Sequence, residues 1–476
     1  MICSIITLSY IAITLAAAEI LDGSAVPRRR GGRAPESLHW RLLVTLVIVG
    51  AGLFATGNPL IACAITIALS AALTIGSNLK NRALGEPLLF SDLAVLGAFV
   101  RYPGFYLAPV PPAVRVLALG GVVALAVTIA CGSTTRMSPH LLGLALMVTA
   151  APLLAIPILS PRLMRRPNVV TDFRRHGLRL TLLVYAFRWR RERRPMIAAP
   201  LPQNLSADLV IVVQCESFTD PTTLREDAQT LPSLARARTA AWQRGRLMVS
   251  GFGAYTMRTE YGVLFGQGEP ALGFRRYDPF LTARRDASHA LSAKLSGRGY
   301  GCVFLHPHDL RFYARDNLMP AIGFGRMVGS EACAPSATAT GPYVSDAAVG
   351  AAVREIVTLS TGKTFIYAVT MENHGPWQRG RMGISSGGFE GYLSHLRHSD
   401  ALLEDLIMML SASGRSAVLA FFGDHRPSIP GVVEPGGDRH TPYVLMRFDA
   451  GGSVTTSRQA DLTPAELHHA ILDCAA

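Results

Sequence analysis

Five apolar runs in the first third of the chain, residues 5–21, 42–56, 60–76, 114–131 and 141–159, have the length and composition of membrane helices. No water-soluble core accounts for that much unbroken apolar sequence in so short a stretch, so the N-terminal region is expected to sit in lipid. Hydrophobic residues make up 49% of the 476, high for a wholly soluble protein of this size. The excess lies before about residue 160, and beyond it strand-like runs, turns and polar stretches alternate as in a water-soluble domain. The first run lacks the positive n-region of a signal peptide and is followed by four more, so it reads as a retained anchor. Three segments follow: a transmembrane region of about five spans (1–160), a basic juxtamembrane linker helix (161–204) and a water-soluble domain (205–476).

The 46 Lys and Arg against 33 Asp and Glu give a net charge of +13. The arginines cluster beside apolar runs, from Arg28 to Arg33 and from Arg162 to Arg194, which points to lipid headgroups as the partner and away from nucleic acid. Between Leu178 and Arg194, leucines and aromatics interleave with arginine, as in a helix lying in a membrane interface; a solvated linker is the alternative. The seven cysteines show no metal-ligand spacing. Cys302 and Cys333 could pair in an oxidising compartment, although spacing alone does not establish the geometry.

After a Pro-rich connection, residues 208–215 read as a buried strand. Further buried strands are expected at 302–305, 365–370, 417–422 and 443–448, with helices such as 286–296 and 392–410 between them. This alternation predicts a doubly wound α/β sandwich. In such sheets the reactive groups gather just past the C-terminal ends of strands. There the sequence has Glu216 after the first strand, the run His306 to Asp316 after the second, His374 after the third, and Asp424-His425 after the fourth.

Glu216, Asp424 and His425 supply two carboxylates and an imidazole, a donor set suited to manganese or magnesium and acceptable to zinc. Singly, each would be an ordinary strand-end polar residue. The glycine-rich run from Gly251 to Thr256 enters a short helix, with Thr256 near its first turn and Glu260 one turn on. A threonine hydroxyl is a weak nucleophile unless activated, and a helix N-terminus with a metal supplies that activation; a simple N-cap is the alternative role. Glu260 is placed to orient Thr256 or a neighbouring loop. In the His306 loop, Tyr313 and Arg315 add an aromatic and a guanidinium able to clamp a phosphate. His306 and His374 are candidates for holding the donor or its leaving oxygen.

The ordered set, Glu216 in Gln-Cys-Glu-Ser, Thr256 with Glu260-Tyr261, His306 with Tyr313 and Arg315, His374 in Asn-His-Gly-Pro, and Asp424-His425 in Gly-Asp-His, resembles the lipoteichoic acid synthase and phosphoglycerol transferase family. That family lies in the alkaline phosphatase/sulfatase superfamily. The resemblance covers most of the chain, and residues 77–92 are similar to an inter-helix loop of Gram-negative relatives. It implies an alkaline phosphatase-like α/β/α fold and one divalent metal held by Glu216, Thr256, Asp424 and His425. It also implies Thr256 as nucleophile, a covalent phosphothreonine-type intermediate, substrate contacts from His306, Tyr313, Arg315 and His374, and support from Glu260. Two features depart from the pattern. Cys333-Ala-Pro-Ser-Ala337 ends in alanine where a sulfatase nucleophile motif requires arginine, which argues against sulfatase chemistry. The basic run after the fifth span would favour a cytoplasmic domain by the positive-inside rule, against the external domain of the family.

The resulting expectation is a multi-pass enzyme of the bacterial inner membrane with a periplasmic or extracellular catalytic domain. It would transfer phosphoglycerol from phosphatidylglycerol to a glycan or glucan of the envelope. The alternatives are a phosphoethanolamine transferase and a catalytically inactive lipid- or glycan-binding scaffold.

Overall fold

The computed structural model describes residues 2–28, 33–95, 112–160, 162–193, 202, 204–333, 343–377, 388–449, 451–456 and 458–476, and the chain divides into two compact units, Met1–Arg193 and Arg194–Ala476.

In the first unit the apolar runs form α1 (Ile2–Ser24), α2 (Leu38–Thr56), α3 (Pro59–Leu84), α4 (Pro112–Gly132) and α5 (Met137–Leu153), the last carried on by a short helix to Leu159. Their spans reach 20 to 26 residues, long and apolar enough to cross a membrane. They outrun the expected boundaries because polar residues continue the helices. Residues 77–84, expected in a loop, extend α3; Ser77 Oγ there accepts the Leu88 N–H (3.1 Å), and Lys80 pairs with Asp92 (2.6 Å). At its start Asn58 caps the Leu60 N–H (3.0 Å) ahead of Pro59. α4 buries none of its residues and exposes Val116, Leu117, Leu119 and Val122, apolar on every side as lipid contact demands. α2 and α5 meet at Gly50 and Gly143. A Cβ on Gly143 would stand 2.4 Å from the Phe54 nitrogen, so only glycine permits this crossing.

The basic run, read as an interfacial helix or a linker, folds as α6 (Val169–His176) and α7 (Leu178–Arg191) and belongs to the first unit through Arg193. Gly177 separates the two at φ 85, where a Cβ would meet Asp22 Oδ2 at 2.2 Å. Arg179 is buried, donating to the Ala18 carbonyl (2.9 Å) and lying 3.5 Å from Asp22, which also pairs with Arg33 (3.0 Å). Burial of these guanidiniums is sustained by the carboxylate and carbonyl partners.

The second unit is built on one sheet of β1 (Leu209–Cys215), β2 (Gln243–Met248), β3 (Gly301–Leu305), β4 (Arg326–Val328), β5 (Thr364–Val369), β6 (Ala417–Gly423), β7 (His440–Asp449), β8 (Gly452–Val454) and β9 (Arg458–Gln459). Its order is β4-β3-β5-β1-β6-β7-β2-β9, with β8 paired to β7. Strands β4, β3, β5, β1 and β6 run parallel, whereas β7 is antiparallel to β6 and β2, because no helix returns the chain between β6 and β7. Gln214 lies opposite both Val369 and Phe422, so β1, β5 and β6 end level with one another.

The main helices of this unit are α8 (Pro232–Ala240), α9 (Thr256–Phe265), α10 (Arg315–Ala321), α11 (Asp346–Leu359), α12 (Phe389–Ala412) and α13 (Pro464–Ala475). Ile211, Val213, Val303, Ile366, Leu419 and Phe421 face one way, into a core closed by α8, α11 and α12. Alternate residues face the other way, where α13 packs on β6 and β7, and α9 packs on α13 at Gly262, whose Cβ would lie 2.5 Å from Pro464 Cβ. The result is an alkaline phosphatase-like α/β/α sandwich. Strands β2, β4, β8 and β9 have no apolar run and were not expected. The helix expected at 286–296 is a 3-10 segment, Pro279–His289, followed by a short α-helix, Leu291–Ser296.

Cys302 and Cys333 are free thiols. Val303 and Leu305 of β3 point into the same core as Cys333, so Cys302 faces the opposite side of the sheet, where its thiol meets the Ser292 carbonyl at 3.3 Å. The sheet itself stands between the two sulfurs.

Candidate active site

The level ends of β1 and β6 bring Glu216, Asp424 and His425 together. Gly423 makes the approach possible, since a Cβ there would lie 1.9 Å from the Phe218 carbonyl oxygen. All three side chains are buried, and their ligand atoms lie within 4.8 Å of one another. His425 Nε2 is 3.5 Å from Glu216 Oε1 and 3.5 Å from Asp424 Oδ2. Asp424 Oδ1 accepts the N–H groups of Ser217 (2.9 Å) and His425 (2.8 Å), and Ser217 Oγ donates to Glu216 (2.9 Å). Ser217 holds these contacts at φ 51, a left-handed conformation that a non-glycine residue adopts at some cost. In the sequence, nothing marks Ser217 beyond its place directly after Glu216.

Thr256 is the first residue of α9, half-buried, and its side chain is among the groups that counter the upward shift of the Asp424 carboxyl. The N-cap position belongs to Tyr255, at φ 74, and no side chain caps the first turn of the helix. The preceding loop is fixed by Gly253 N–H on the Arg426 carbonyl (2.8 Å), and Thr259 Oγ1 donates to the Asp424 carbonyl (2.8 Å). Burial, and next the charge of Glu216, push the Asp424 carboxyl up to about 6. Burial disfavours a charged His425, but Asp424 and Glu216 outweigh it and raise the imidazole above its ordinary value. Two buried carboxylates that repel each other beside a shared imidazole fit a divalent cation, which would relieve the repulsion.

One turn along α9, Glu260 receives Arg315 Nη2 at 2.6 Å and Nε at 3.2 Å, both residues being almost wholly buried. Arg315 Nη1 lies 3.2 Å from His306 Nε2, and His306 Nδ1 is 3.3 Å from the Val369 carbonyl. Burial first, then the charge of Arg315, hold His306 well below the usual imidazole value; it is therefore neutral, with Nδ1–H donating and Nε2 accepting. The guanidinium read as a phosphate clamp is thus engaged by Glu260 and His306. Of the two roles considered for Glu260, it performs the second, holding a neighbouring loop. Tyr313, at φ 58, lies with its ring 5.2 Å from the Arg315 guanidinium. Glu260→Gln is expected to leave Arg315 buried without its counter-charge and to cost about 3–5 kcal/mol. The check is the unfolding midpoint of the C-terminal domain. A change no larger than that of an exposed pair such as Arg246→Gln would remove the clamp from the account.

His374 is half-buried, with Nδ1 3.3 Å from the Tyr343 hydroxyl. His308 lies between the two groups, its ring 6.0 Å from His306 and 6.4 Å from Tyr343. Burial, then the neighbouring His374, lower its basicity. Both His308 and Tyr343 were missed. The former repeats the histidine two positions after His306, a usable signal, whereas nothing in the run around Tyr343 announces its meeting with His374.

An alkaline phosphatase-like domain with a carboxylate-imidazole set beside a helix-starting threonine, joined to five helices able to cross a membrane, defines the class of protein. Residues 208–476 match the sulfatase family model, and over 432 residues the chain is 31% identical to the capsular polysaccharide biosynthesis protein RkpI of Rhizobium meliloti (strain 1021), covering 85% of this chain and 80% of that protein. The chain belongs to the sulfatase family, within the alkaline phosphatase superfamily. A putative cyclic beta-1,2-glucan modification protein of the same organism is 26% identical over 232 residues, 46% of this chain and 36% of that one. Among solved structures, the integral membrane lipooligosaccharide phosphoethanolamine transferase A of Neisseria meningitidis shares the fold at a TM-score of 0.51 and 12% identity, covering 93% of this chain and 96% of that chain.

Proposed function

We propose that this protein is a membrane phosphotransferase that moves phosphoglycerol from phosphatidylglycerol to an envelope glycan. The observation that carries the reading is Thr256, at the N-terminus of α9 and beside Asp424 of the buried Glu216–Asp424–His425 set. Thr256 Oγ gives up its proton and bonds to the donor phosphorus. The bond from phosphorus to the diacylglycerol oxygen breaks, and that oxygen takes up a proton. An acceptor hydroxyl then gives up its proton and bonds to phosphorus, and the threonine oxygen leaves and takes up a proton. A manganese or magnesium ion held by Glu216, Asp424, His425 and Thr256 would supply Lewis-acid stabilisation of the charge developing on the phosphoryl oxygens. The α9 N-terminus adds its dipole to the same oxygens. His374, His308 and Tyr343 line the adjoining edge, where the donor headgroup would lie.

The glycan acceptor is supported by the names of the relatives, one of capsular polysaccharide biosynthesis and one of glucan modification. An acceptor of that kind requires the domain outside the inner membrane, which five spans with a cytoplasmic N-terminus deliver. The second reading, phosphoethanolamine transfer, is favoured by the likeness in fold to the Neisseria enzyme.

One experiment separates the readings. Sealed right-side-out membrane vesicles containing the full-length protein are given headgroup-labelled phosphatidylglycerol or phosphatidylethanolamine and a membrane-impermeant glucan. Label is expected on the glucan from phosphatidylglycerol alone. Label from phosphatidylethanolamine alone would establish the second reading, and transfer that begins only after the vesicles are opened would put the domain in the cytoplasm.

A further inference from the structure

A second group of ligand-type side chains lies outside the Glu216–Asp424–His425 set. Glu372, two residues before His374, meets His395 and His398, which sit three residues apart on one face of α12. Glu372 Oε1 is 2.6 Å from His398 Nδ1 and 3.7 Å from His395 Nδ1, and the three ligand atoms lie within 4.8 Å of one another. The other carboxylate oxygen, Oε2, accepts the Asp346 N–H at the start of α11 (2.6 Å), which fixes the orientation of the group as an outer-shell partner does for a metal ligand. A Glu372–His398 hydrogen bond needs only one histidine. The other, His395, is 1% exposed and points its Nδ1 at the same carboxylate oxygen from 3.7 Å, too far for a good hydrogen bond. Buried imidazole nitrogens are rarely left so.

We propose that Glu372, His395 and His398 form a second metal site, for a divalent transition metal of the zinc class, tying the loop of His374 to α12. Two imidazoles and one carboxylate make a softer set than the two carboxylates and one imidazole beside Thr256, so the two sites differ in preferred ion. An ion at about 2.0–2.2 Å from each donor displaces the proton between Glu372 and His398, opens that contact and draws in the His395 nitrogen. Three protein ligands leave the fourth position to water, and the 47% exposed side chain of His398 provides the way in. The ion then sets where His374 stands relative to α12.

The test uses the full-length protein in detergent, stripped with chelator, exposed to zinc and counted for bound metal after gel filtration. Wild type is expected to hold about two zinc ions per chain, and Glu216→Gln and the His395→Gln/His398→Gln pair about one each, with almost none when all three changes are combined. Zinc should raise the unfolding midpoint of Glu216→Gln and leave that of the variant combining all three changes unmoved. Should the pair fail to fold, His398→Ala, at a half-exposed position, is expected to weaken the second zinc at least about 10-fold. A histidine variant that retains the wild-type zinc count and affinity overturns the proposal. So does a wild-type chain whose zinc is wholly lost in Glu216→Gln.

Discussion

Thr256→Ala is expected to lower transfer by about 10⁴-fold or more, the scale seen when a covalent nucleophile is deleted, while the protein folds normally. Thr256 occupies the first helical position of α9, where alanine is tolerated, and the cap lies at Tyr255. The change removes one hydroxyl beside Asp424, and the loss of a single polar contact of that kind costs about 1 kcal/mol. Stability and catalysis therefore separate: a purely structural threonine would show a small loss in both. With headgroup-labelled donor, wild type should carry label on Thr256 and the alanine variant none. Thr256→Ser, which keeps the hydroxyl, should recover part of the rate. An alanine variant with near-normal transfer would take the nucleophile role away from Thr256.

What could be read from the sequence follows from which interactions are local. β1, β3, β5, β6 and β7 were legible because strands buried on both faces are continuous apolar runs, and the residue just past each end was a natural place to look. That rule found Glu216, His306, Asp424 and His425. It could not find β2, whose Gln243-Arg244-Gly245-Arg246 run is held by pairing with β7 and not by its own composition. The direction of β7 was likewise invisible, since orientation depends on the connection and not on the strand. Arg315 shows the limit at the site. Its loop suggested a phosphate clamp, yet a glutamate 55 residues earlier in the chain occupies its guanidinium. The Glu372 group was hidden for the same reason: His395 and His398 look like ordinary polar positions on α12 until the loop after β5 is laid against them. The basic run shows the same limit, because the acid that neutralises Arg179 is Asp22, at the far end of the first unit's sequence.

Metal removal is the second large effect. Chelation should stop transfer, and manganese or magnesium should restore it in wild type but not in Asp424→Asn. Asparagine can still accept the Ser217 and His425 N–H groups through the position of Oδ1, so the loop geometry survives. What it lacks is the charge on Oδ2, which faces His425 Nε2 at 3.5 Å and is where a cation would be shared. Charge stabilisation by a bound metal is worth several kcal/mol in such transition states, and each 1.4 kcal/mol is tenfold, so a fall of about 10³-fold is expected in kcat. Binding should also be visible without turnover. At about 100 times its dissociation constant a ligand stabilises the fold by about 2.7 kcal/mol, which magnesium should provide in wild type and not in Asp424→Asn. Magnesium is the right probe because the imidazole-rich Glu372 group has little affinity for it, so a shift reports the site beside Thr256 alone. Full turnover by a metal-free protein, verified by elemental analysis, would mean that Glu216, Asp424 and His425 act on the phosphoryl group without an ion.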